Sequence, residues 1–138
     1  VIHGQNTKFV TLLSPASVGT SATVSGTVDC LGWDYAQVYL HLATQTAGNT
    51  NTISLAEGDT TSSFTTHADF SITTATPSTS ATQAYGWMLD LKKRKRYLRL
   101  TLTVPGTAQA ADSFAILSRG EAGPDTAAKR GLTAQSVS

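Results

Sequence analysis

Charge is what this sequence has least of. Only 14% of its 138 residues are Asp, Glu, Lys or Arg, against about a quarter in an ordinary soluble protein, so hydroxyls must keep the surface wet. The 23 Thr and 14 Ser supply them. Long charged helix formers are scarce, whereas β-branched threonine is comfortable on the solvent face of a strand, and the composition favours an all-β protein. Cysteine is nearly absent as well. Cys30 stands alone, which excludes an intrachain disulfide and weighs against a disulfide-stapled secreted domain. No apolar run approaches the ~20 residues of a membrane span, so no membrane contact is expected. The opening VIHGQNTKFV lacks the basic-then-apolar layout of a signal peptide.

What is present is enough for one core. A chain of 138 residues that is 40% hydrophobic has the length of one domain, and turn residues cut it into short runs that alternate. In ATVSGTVDC, Ala22, Val24, Gly26, Val28 and Cys30 share one face and Thr23, Ser25, Thr27 and Asp29 the other. After Leu31-Gly32, Ala36, Val38, Leu40 and Leu42 oppose Tyr35, Gln37, Tyr39 and His41. Turns at Gly48-Asn49 and Gly58-Asp59 bracket a strand near Thr52–Ala56, and another is expected from Phe64 to about Ile72. Thr73–Thr82 reads as a polar loop. Gly86–Leu91 leads to the clearest strand, in which Leu98, Leu100, Leu102 and Val104 face inward, and Ser113–Ser118 is the last. Seven to eight strands without a helical period predict an antiparallel β-sandwich, jelly-roll-like or immunoglobulin-like. Residues 1–118 form this single domain, with an arm at 1–8. Residues 119–138 form an extended tail with no apolar period, not packed on its own core.

One feature breaks the bland pattern. Lys92, Lys93, Arg94, Lys95 and Arg96 form an unbroken basic row, and with Arg99 they make six of the ten basic residues. The net charge of only +1 argues against a globally basic nucleic-acid binder. Stacking aromatics are not interleaved with the row either, since only Tyr97 follows it. Because the row joins MLDL to YLRLTLTV, it reads as a hairpin loop or strand start at one end of the sandwich. There it can dock an acidic partner or serve solubility and edge protection.

Catalytic motifs do not emerge. His3, His41 and His67 are too dispersed for a metal site, no GxSxG elbow surrounds a serine, and Cys30 shares the inward face with Val24 and Val28. Asp29, Asp34, Glu57 and Asp59 lie near turns, where Asx and capping roles account for them. No enzyme, cofactor or metal is expected. The aromatics Trp33, Tyr35, Tyr39 and Trp87, with Tyr85 nearby, are candidates for an interface. Sugar-binding sandwiches present flat rings of this kind.

The strands TVDCLGWDYAQVYLHLA, ISLAEGDTTSSFT and LDLKKRKRYLRLTLTVPGTAQAADSFAILSR, spanning about Ser14 to Arg119, resemble small capsid cement or decoration proteins of tailed bacteriophages. The resemblance implies a jelly-roll-like homotrimer on the exterior of a phage head, made in the host cytoplasm, that bridges major capsid proteins and has no catalytic residues. Nucleic acid is not expected as a partner. The alternative is a carbohydrate- or receptor-binding module of a head fibre or tail component.

Overall fold

The two cleanest alternations in the sequence become interior strands of two facing sheets. A computed structural model of the protein describes residues 6–45, 50–66, 70, 72–120 and 128–134. Among the described residues nine strands follow one another: β1 (Thr7–Val18), β2 (Ala22–Asp29), β3 (Trp33–Leu42), β4 (Asn51–Gly58), β5 (Thr65–Thr66), β6 (Thr74–Ala75), β7 (Gln83–Asp90), β8 (Tyr97–Val104) and β9 (Gln109–Gly120). The first sheet has the order β1-β9-β3-β7. The second runs β2-β8-β4-β5, with β6 also paired to β4. All pairs are antiparallel. Apart from the steps among β4, β5 and β6, every connection carries the chain from one sheet to the other. This is the order of a jelly-roll-like sandwich.

Leucines on the inner faces fill the space between the sheets. Leu40, Leu55, Leu98, Leu100, Leu102 and Leu117 are fully buried, and each such side chain stabilises the fold by about 1.5–3 kcal/mol relative to exposure. Gly26 of β2 is needed where the two sheets approach at β1, because a Cβ there would fall on the Leu12 carbonyl oxygen. Backbone cannot yield to it.

Several expectations change. β1 is not foreshadowed by alternation, because register shifts between Thr11 and Leu13 and between Leu13 and Ala16 interrupt its period. It also takes Thr7 and Lys8 out of the expected arm and into the sheet. The last strand begins at Gln109, not Ser113, and continues to Gly120. Of the strand expected over Phe64–Ile72, the described residues show only Thr65–Thr66 as strand, β5, and a second two-residue strand, β6, lies in the polar loop. Within that Ser/Thr-rich stretch Phe70 is buried in the core and Ile72 packs against it. Residues 67–69 and 71, the turn Gly48-Asn49, and residues 1–5, 121–127 and 135–138 lie outside the described residues.

The basic row is not a hairpin. β7 pairs with β3 in the first sheet and β8 with β2 and β4 in the second, so the row is an inter-sheet crossing. A 3-10 turn, Leu91–Lys93, opens it, with Asp90 as N-cap accepting the Lys92 N–H at 3.0 Å. Leu91 is buried and pins the crossing over the end of the core. The expected tail, too, is partly packed: a 3-10 turn at Ala128–Arg130 lies beside β1, and a Cβ on Gly131, whose φ is +72°, would collide with the Phe9 carbonyl. Backbone contact of this kind leaves no trace in apolar periodicity.

Candidate functional site

Strand register assembles a solvent-facing surface on the first sheet. Residues paired across strands point the same way. One row is therefore Thr7, Ser118, Tyr35 and Asp90; the next is Phe9, Ile116, Gln37 and Met88; a third is Thr11, Phe114, Tyr39 and Gly86. His41 and Asp112 follow, with His41 Nδ1 3.3 Å from Asp112 Oδ1.

The aromatic rings form a ladder across three strands. Phe9 and Phe114 stack with centroids 5.0 Å apart and planes at 24°. Tyr39 lies 5.2 Å from Phe114, tilted by 34°. On its other side Tyr39 fills the space over Gly86, where a Cβ would come within 3.3 Å of the ring. Ring faces are thus largely used by neighbours, and the apolar relief is completed by Met88, which is 63% exposed.

Beside the ladder is a shallow hollow of about 360 Å³, lined by Tyr35, Gln37, Met88, Asp90 and Ser118 over Ala36 and Leu89. Its polar groups are of both kinds. The Tyr39 hydroxyl donates to Gln37 Oε1 at 3.1 Å, which leaves the Gln37 Nε2 hydrogens directed by that bond and available as donors. Arg119 Nη1 donates to the Tyr35 hydroxyl at 3.4 Å, and its guanidinium lies 5.5 Å from the Tyr35 ring centre. The Tyr35 O–H can therefore donate in turn. Ser118 offers a hydroxyl, and Asp90 offers a carboxylate already anchored by the Lys92 N–H.

The expected aromatic interface is divided. Tyr35 and Tyr39 belong to this face, but Trp87 is 5% exposed and points into the core opposite Val38, and Trp33 is half-buried against the core at the start of β3. The alternation of Tyr85, Trp87 and Leu89 against Gly86, Met88 and Asp90 carries that information. Phe9, Phe114, Ile116 and Met88 are additional members of the face. In FAIL both alternating sets are apolar, so the run does not disclose that Phe114 and Ile116 turn outward.

The basic row at the adjoining end is partly spent on the fold. Arg96 grips Asp29 with Nε and Nη2 at 3.0 and 2.8 Å. Glu57 is buried; its Oε1 lies 3.9 Å from Arg94 and its Oε2 accepts the Lys95 N–H at 3.3 Å. Lys95 Nζ lies 3.8 Å from Asp59. Lys92 and Lys93 are exposed and have no ion-pair partner among the described residues. The Arg96 guanidinium, against a smaller opposing effect of burial, holds the Asp29 carboxyl below its ordinary range, with help from the Leu31 N–H. Burial pushes the Cys30 thiol up to about 12, which suits a packed side chain. Among the described residues no three His, Cys, Asp or Glu side chains come together to hold a metal.

No family model matches the chain, and no curated protein does. Among solved structures it is similar to a protein of Bacillus endospore appendages, a family of disulfide-linked pili, with 13% identity and TM-score 0.45 over 88% of this chain and 96% of that one. It is similar to dimeric latent PorU from Porphyromonas gingivalis, with 15% identity and TM-score 0.47 over 83% of this chain and 13% of that one. It is also similar to the CBM22-1-GH10 modules of a Clostridium thermocellum endo-1,4-beta-D-xylanase complexed with xylohexaose, with 12% identity and TM-score 0.49 over 90% of this chain and 28% of that one.

Proposed function

We propose that this chain is a non-catalytic carbohydrate-binding module whose ligand face is the outer surface of the β1-β9-β3-β7 sheet. The observation that carries the reading is the hollow beside the aromatic ladder, which combines Gln37, Tyr35, Ser118 and Asp90 with the exposed thioether of Met88. Sugar hydroxyls donate and accept at once, so they require neighbouring donors and acceptors, and the C–H faces of a sugar require apolar contact beside them. The face supplies both. Gln37 and Tyr35 are held by bonds within the sheet and Asp90 by the Lys92 N–H, so these three groups need little ordering on binding.

The test is titration with a panel of oligosaccharides followed by amide chemical shifts. Binding should perturb β3, β7 and β9. Gln37→Ala and Ser118→Ala should each weaken it by about three- to tenfold, the range of one net hydrogen bond. Perturbation confined to other elements would sink the proposal. A chain that ignores sugars but attaches to preformed phage heads lacking it would replace this reading with the capsid-cement one.

A further inference from the structure

Two hollows meet at one carboxylate. The hollow on the sheet ends at Asp90, and a second of about 310 Å³ begins there, lined by Asp90, Lys92, Lys93 and Arg94. The first is neutral apart from Asp90. The second is lined by three cations and that single exposed carboxylate, whose Oδ1 already accepts the Lys92 N–H at 3.0 Å. Arg94 shares its charge with Glu57 at 3.9 Å. Lys92 and Lys93 do not share theirs with any carboxylate among the described residues. Lysines held at the mouth of a polar hollow, where the other basic residues of the row have carboxylates nearby, are placed to meet charge on a ligand.

We infer that the sugar bound by this face is acidic: one residue sits in the hollow at Tyr35, Gln37 and Ser118, and the next carries a carboxylate or sulfate to Lys92 and Lys93. This rests on the carbohydrate reading of the face and names its ligand class. It also gives the basic row a divided role, with Arg94, Lys95 and Arg96 closing the end of the sandwich and Lys92 and Lys93 meeting the ligand.

The experiment uses the full chain and calorimetric titration with an oligogalacturonate, a sulfated oligosaccharide, a neutral oligosaccharide of equal length and a DNA oligomer, at low and raised salt. An acidic sugar should bind about tenfold tighter than the neutral one, an advantage that salt removes. Which acidic sugar does so identifies the group as carboxylate or sulfate. Lys92→Ser/Lys93→Ser should abolish the advantage while leaving neutral-sugar affinity and the melting temperature unchanged. Gln37→Ala should weaken acidic and neutral sugars alike. Equal binding of neutral and acidic sugars overturns the inference but leaves the carbohydrate reading standing, whereas no binding of any sugar removes both. Acidic-sugar binding insensitive to Gln37→Ala, or DNA bound as tightly as the sugar, reduces the effect to bulk charge attraction and also overturns the inference.

Discussion

Asp29 shows how one side chain can serve both a turn and a tertiary contact. Its Oδ1 accepts the Leu31 N–H at 3.0 Å, an Asx arrangement at the β2–β3 turn. The same carboxylate takes Arg96 from the far side of the basic row. Since its folded affinity for a proton is lowered, the unfolded chain binds that proton first as acid is added. The stability contributed is complete well above the ordinary carboxylate value of about 3.9. It is lost as pH falls through the lower, folded value. Melting temperature followed from neutral pH downwards should therefore drop more steeply in wild type than in Asp29→Asn across that acidic window. The difference should be small, because the pair is solvent-exposed and screened. Superimposable curves would mean that the pair contributes nothing.

At the scale of elements, the β7–β8 crossing is more than a linker. Leu91 anchors its start in the core, Arg94 lies 5.3 Å from the Phe70 ring centre, and Glu57 at the end of β4 receives the Lys95 backbone N–H. A buried carboxylate thus ties the second sheet to the chain arriving from the first. Glu57→Ala should cost about 1–3 kcal/mol in chemical denaturation, since the part-buried N–H and the nearby guanidinium both lose their acceptor. Lys92→Ser should leave the same curve unmoved. Equal effects from the two substitutions would contradict the division of the row into structural and exposed members. The residues of the row are visible in the sequence; their division is not, because Asp29, Glu57 and Asp59 reach it only through the pairing of β2 and β4 with β8.

For the whole molecule, the question is what the sandwich needs in order to fold. Its buried set lies within β1 to β9 and the segments joining them, while the turn at Ala128–Arg130 and Gly131 lie against the outer edge of the first sheet at β1. A chain ending at Gly120 should keep its β-sheet circular dichroism and unfold cooperatively, with a loss of no more than about 2 kcal/mol, the scale of a few surface contacts. Loss of cooperative unfolding would show that the later residues belong to the folding unit. The ligand face should be unchanged by this truncation, because its hollow is lined from β3, β7 and β9.

The sequence by itself determined the class of fold and the inward sets of β2, β3 and β8, because alternation with period two is a local property that Val38, Leu40, Leu100 and Leu102 obey without reference to other strands. It also exposed the basic row. It could not determine that β9 lies between β1 and β3, that Phe114 and Ile116 turn outward, or that Phe9, Phe114 and Tyr39 form one ladder. Those are matters of which strand pairs with which, and in what register. Only the tertiary structure decides them, because the pairing is selected by the joint burial of both sheets and not by the preferences of any one segment.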